Sequence, residues 1–184
     1  MHINQKGDRH KLLQMSEISL MLDNYDDLFS DFDPRPYSQR ALSQDFLAES
    51  QRASRDLVTG KIELKFLISS AKRNAVQENI IKKRLKEHFK KHFNLIHNDI
   101  KKMINQGISI TLLGILLMFI ATLILFKYAQ TNILTSFLII LLEPAGWFTF
   151  WHGLDKILFE SKKLKPGLEF YRKMSKSEIT FLSY

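Results

Sequence analysis

The chain has 184 residues, 27 Lys and Arg against 19 Asp and Glu for a formal net charge of +8, and no cysteine. The missing cysteines exclude disulfides, thiolate metal sites and cysteine nucleophiles. Mean hydropathy is slightly negative, yet this average mixes two apolar runs, residues 108–126 and 133–151, with a highly charged remainder of about 140 residues, enough for one small domain and not for two enzyme domains.

In chain order, residues 1–15 show no period and are expected to form a flexible tail. They carry no apolar core of a secretory signal, so the amino-terminal part is expected to stay in the cytoplasm. Residues 16–73 read as a strand-helix-strand unit. Ile18, Leu20 and Leu22 alternate with Ser19 and Met21 as in a half-buried strand. The segment SDFDPRPY, residues 30–37, holds two prolines one residue apart, which forbids regular helix and favours a fixed loop. Ser38 is then expected to cap a helix over 39–55, where Leu42, Phe46, Leu47 and Ala53 sit at helical spacing, with Gly60 beyond its end. Residues 61–68 alternate Ile62, Leu64, Phe66 and Ile68 with Lys61, Glu63 and Lys65, a second strand. A right-handed βαβ crossover is the default for this order.

Residues 74–106 predict a basic amphipathic stalk helix. Val76, Ile80, Ile81, Leu85, Phe89, Phe93 and Ile96 recur at threes and fours, and Lys82, Lys83, Arg84, Lys86, Lys90 and Lys91 crowd the rest. Gly107 is the only weak point before the first apolar run, so stalk and run are expected to continue into one another. Residues 107–152 read as a transmembrane hairpin: a run of about 19 residues at about 1.5 Å each spans about 28 Å, close to the hydrocarbon thickness of a bilayer. Lys101 and Lys102 precede it, Lys156, Lys162, Lys163 and Lys165 follow it, and Lys127 alone lies in the connection. That bias predicts a multi-pass protein of the cytoplasmic (inner) membrane with both termini cytoplasmic. Residues 153–184 are expected to form a cytosolic helix over 155–163, ended by Pro166-Gly167, and a last strand over 178–184 carrying Ile179 and Phe181. The fold expected is a small cytosolic α/β (α+β) domain with the two-helix hairpin inserted before its last strand.

Glu143, inside the second run and followed by Pro144, is the most informative single residue, because an ionisable group at that depth is costly. Proline removes a backbone donor and frees a carbonyl one turn earlier. With Gly146 and Thr149 these residues are candidates for an oligomer contact or a pore lining, against the plainer reading of a kink satisfied by Ser or Thr of the first run. Trp147 and Trp151 are read as interface anchors. Arg35 and Arg40, flanking Ser38 at an expected helix start, are candidates for binding an anion, against the reading that they pair with nearby carboxylates and fix the loop. Asp31 and Asp33 form a D-x-D pair able in principle to hold a divalent cation, but no apolar strand precedes it, so no metal site is assigned. His88 and His92, four apart, lack the surrounding ligands of a zinc site and are read as solvated.

The stretch DFDPRPYSQRALSQDFL, followed by IELKFLI, IIKKRLKEHF and the two apolar runs, resembles small uncharacterised prokaryotic two-span membrane proteins of similar arrangement, over most of the chain. In architecture only, it is also similar to two-span effectors that pair a cytosolic sensing domain with membrane disruption. The resemblance implies no catalytic residues and no cofactor. The expectation is a non-enzymatic membrane protein, partnered by lipids, by further copies of itself and by a protein of unknown identity, acting as an anchor, a scaffold or a pore. A cytosolic anion or nucleotide sensor is the alternative, and a membrane-tethered metal enzyme at Asp31 and Asp33 a more distant one. The basic stretches lack the interleaved aromatics of single-strand binders, so nucleic acid is not expected.

Overall fold

The computed structural model describes residues 17–55, 62–128 and 132–184. The expected tail over 1–15, Gly60, Lys61 and residues 129–131 of the connection between the apolar runs lie outside the described residues. The elements are β1 (Glu17–Leu22), a 3-10 turn (Tyr25–Leu28), α1 (Gln44–Arg55), β2 (Glu63–Ile68), α2 (Ala75–Tyr128), α3 (Ile133–Asp155), a π-helical turn (Lys156–Glu160), α4 (Ser161–Lys176) and β3 (Glu178–Ser183). Two compact units emerge: residues 1–94 with 168–184, and residues 95–167.

The first unit is built on a three-stranded parallel sheet in the order β1-β2-β3. Leu20 lies opposite Phe66, and Phe66 opposite Phe181. Alternation puts Ile18, Leu22, Leu64, Phe66, Ile68, Ile179 and Phe181 on one face, where they join Phe46 of α1, Ile81, Leu85 and Phe89 of α2, and Phe170 and Met174 of α4 in one core. Every helix of the unit therefore packs on one side, as two successive crossovers of the same hand produce. Among the described residues, no helix packs on the other face. Glu17, Glu63 and Glu178 share one row across it, with Lys65 bonded to Glu17 and to Glu63, while Met21 and Leu182 stand exposed at the far end.

Two expected boundaries move. Ser38 caps nothing. Phe29 and Leu42 form an antiparallel bridge, with the Ser30 amide donating to Ala41 O and the Ser43 amide to Leu28 O, so the backbone is extended there and α1 begins only at Gln44. Ser43 is the cap: its hydroxyl accepts from the Phe46 amide and its carbonyl from the Leu47 amide. Nor does Pro166-Gly167 end the last helix, which runs to Lys176. Proline in a helix interior costs about 3 kcal/mol. Here Pro166 and Lys162, whose carbonyl it leaves unpaired, are both exposed, so water can satisfy that group. One turn and two turns on, Phe170 and Met174 are buried, a gain that offsets the loss.

The start of α2 is fixed by a local network. Asn74 Oδ1 accepts from the Val76 and Gln77 amides, and the Asn74 amide donates to the Tyr25 hydroxyl. Glu78, buried in the first turn, accepts from that hydroxyl at 3.0 Å and from both arms of Arg73 at 2.9 Å. Arg73 holds the Glu78 carboxyl below its ordinary value, burial notwithstanding. From there α2 continues without a break through Gly107 to Tyr128, as the missing proline predicts.

Candidate functional site

The second unit contains the two apolar helices, both long and apolar enough to cross a membrane. Their pairing is set by glycine. A methyl group on Gly114 would lie 2.7 Å from Phe150 Cα and 2.8 Å from Gly146 O; one on Gly153 would lie 2.7 Å from Gly107 O. Gly107 thus faces Gly153 and Gly114 faces Gly146, seven residues apart on each helix. Seven residues make two turns at 3.5 per turn, the repeat of a left-handed helix pair. One step further places Ala121 opposite Ile139, and both are buried.

This register sorts the residues singled out in α3. Gly146 is spent inside the hairpin, backbone against backbone. Thr149 is half-buried and donates its hydroxyl to Ala145 O within its own helix at 2.7 Å. Glu143 and Pro144 are exposed on the outer side, and α3 runs unbroken through the proline. Glu143 lines a cleft of about 190 Å³ with Met118, Ala121, Thr122, Leu125, Ile139 and Trp147. The bond from a first-run hydroxyl, weighed as the plainer reading, is not made: Thr122 donates to Met118 O instead. Glu143 has no hydrogen bond or ion pair among the described residues. Trp147 and Trp151 stack at 6.2 Å and stay half exposed, and Trp147 also walls the Glu143 cleft.

In the first unit the loop of residues 30–40 is organised by Asp33. Its carboxylate accepts from Arg35 Nε and Nη2 at 2.8 and 2.7 Å and from the Ala41 amide at 2.7 Å. These bonds, Arg35 foremost, hold the Asp33 carboxyl well below the usual carboxylate range. Arg40 pairs with Asp26 at 2.5 Å and donates to Ser30 O. Tyr37 stacks on Phe29 at 5.0 Å. Both guanidiniums are thus occupied by carboxylates, the arrangement of a fixed loop. Asp31 is exposed, and among the described residues no three His, Asp or Glu side chains converge as metal ligands.

The histidine pair departs from expectation. His88 and His92 are half-buried: their rings lie 4.2 Å apart, and His92 stacks on Tyr171 at 5.2 Å. Burial pushes the His88 imidazole down to about 4, helped by His92, Arg84 and Lys91, and burial lowers His92 as well. Both rings are therefore neutral at pH 7. The sequence signal for this was the face shared by Leu85, His88 and His92, which α4 covers once it continues past Pro166. Comparison with protein-family models, curated proteins and solved structures finds no match for the chain.

Proposed function

We propose that the protein is an integral, multi-pass protein of the cytoplasmic membrane that self-associates through the outer side of its hairpin at Glu143. It serves as a non-enzymatic anchor or scaffold for its cytosolic α/β unit, or as an oligomeric pore. The observation that carries this reading is Glu143 itself, a carboxylate eight positions before Trp151, about 12 Å along a helix, with no hydrogen-bond or ion-pair partner among the described residues. Translocon scales put a charge at the centre of a span at about 2.5 to 3.5 kcal/mol. A second copy that supplies a donor, or a water-filled space between copies, removes that cost. The small residues do not serve this contact, because the hairpin has used them internally. The asymmetry of lysines around the two runs supports cytoplasmic termini.

Native mass spectrometry of the full-length protein released from mild detergent tests the reading. Wild type is expected as a discrete oligomer, Glu143→Leu as a monomer, and Glu143→Gln as a partly retained oligomer because the amide still hydrogen-bonds. A monomeric wild type, or an oligomer unchanged in Glu143→Leu, overturns it. Ion flux into vesicles, present in wild type and lost in Glu143→Leu, selects the pore over the scaffold.

A further inference from the structure

In the first unit a cavity of about 350 Å³ opens between Ala41, Leu42, Gln44 and Leu47 at the start of α1, Arg84, His88, Lys91 and His92 on α2, and Tyr171 on α4. Its lining is unusual in charge. Among the described residues, two cations and two imidazoles face it and no carboxylate does. Arg84 is held by neutral groups alone, Nε donating to Arg40 O at 3.0 Å and Nη2 to Gln39 O at 3.5 Å. Among the described residues neither Arg84 nor Lys91 makes an ion pair, whereas Arg35, Arg40 and Arg73 each have a carboxylate. His88 Nε2 is shut off from solvent with no hydrogen-bond partner. A buried polar atom left unpaired costs about 1 to 3 kcal/mol, and uncompensated cations around a concave surface focus a positive potential into it.

We propose that this cavity binds the phosphate group of a small soluble phosphate ester or diphosphate. Arg84 and Lys91 supply the charge, and Leu42, Leu47 and the Tyr171 ring hold the organic remainder. The size sits at the small end of ligand pockets, about 300 to 1,000 Å³. A phosphate is favoured over a lone carboxylate because its three oxygens and near-dianionic charge can engage a guanidinium fork and an ammonium together. This site is separate from the Arg35 loop, whose guanidinium is already taken.

The charge arrangement also predicts proton uptake on binding. The groups facing His88 are His92, Arg84 and Lys91 from its own helix and Tyr171 from α4, while the α1 side contributes only Ala41, Leu42, Gln44 and Leu47. An anion among them offsets the cations that add to burial in keeping the imidazoles neutral, so affinity should rise as pH falls.

Isothermal titration of the full-length protein in detergent with inorganic phosphate, pyrophosphate and adenosine 5′-monophosphate tests this. Saturable binding is expected for at least pyrophosphate or the monophosphate, tighter at about pH 6 than at about pH 8. Lys91→Gln, at an exposed position with no structural bond, should weaken it about tenfold, the worth of one charge-assisted hydrogen bond. Arg84→Gln should weaken it at least as much, and Arg35→Gln should leave it unchanged. No saturable heat with any of the three probes, or binding indifferent to Lys91→Gln, overturns the proposal. Binding lost in Arg35→Gln and retained in Lys91→Gln moves the site to the loop and overturns it equally.

Discussion

The two units solve packing in opposite ways. In the sheet unit, large side chains fill the space between layers: Phe46, Phe66, Phe181 and Tyr25 run in sequence at 5.9, 5.1 and 5.7 Å between ring centres, with Phe66 at zero exposure. In the hairpin, the absence of side chains at Gly107, Gly114, Gly146 and Gly153 lets two backbones touch. Water explains the difference. The sheet unit gains by removing apolar area from it. In the membrane setting proposed for the hairpin that gain vanishes, and close van der Waals approach takes its place. One unit should therefore break when large residues become small, the other when small residues become large.

Gly114→Leu is the strongest test of that contrast. The added side chain meets Phe150 and Gly146 backbone, which cannot move aside, so the hairpin should fail to close. Because the chain has no cysteine, the pair Ala121→Cys and Ile139→Cys reports closure directly. Its disulfide should form readily in the otherwise native protein and drop to background with Gly114→Leu. Leu112→Ala, at a position 60% exposed, should leave the yield unchanged, and a comparable loss there would sink the glycine account.

Phe66→Ala comes next. It should cost the sheet unit about 3 to 5 kcal/mol, read by hydrogen exchange of the β2 amides in the full chain, while the cysteine pair still closes. Loss of both together would show that the units do not separate energetically. Glu78→Ala is smaller, about 2 to 3 kcal/mol, because it strands the Tyr25 hydroxyl and Arg73; the faster exchange should centre on the first turns of α2.

A last test is pH. The His88 imidazole is lower in the folded chain, about 4, than its ordinary 6.5, so the unfolded chain takes up that proton first. Stability then falls as pH drops from about 6.5 to about 4. Glu78 is likewise depressed; what it contributes is present above its ordinary value of 4.5 and is lost as pH falls through the folded one. Thermal unfolding should thus show two acid stages, His88→Gln diminishing the upper, to which His92 also contributes, and Glu78→Gln diminishing the lower, to which Asp33 also contributes. A profile flat from pH 7 to 5 in wild type would contradict the upper stage.

The three strands were legible because each buries a single face. A parallel sheet covered on both faces reads as continuous apolar runs; here Ser19, Lys65 and Thr180 share an uncovered row, so alternation survives in every strand. The long helices were legible by period and length. The start of α1 was not, since Ser38 and Ser43 are equally good caps by residue type, and only the bridge of Leu42 to Phe29 chooses between them. Among the site residues, sequence picked out Glu143 by its chemistry but also grouped with it Gly146, which the register turns inward.

By itself the sequence determined the element types, the two apolar helices, and the lone carboxylate among apolar residues, because these depend on local composition and on periods of two and 3.6. Tertiary structure alone decided the pairing of Gly114 with Gly146, the survival of α4 through Pro166, and the gathering of Arg84, His88, Lys91 and Tyr171 around one cavity. Those outcomes rest on contacts between residues far apart in the chain. There the burial of Phe170 and Met174 outweighs a local proline penalty that the sequence, read segment by segment, takes as final.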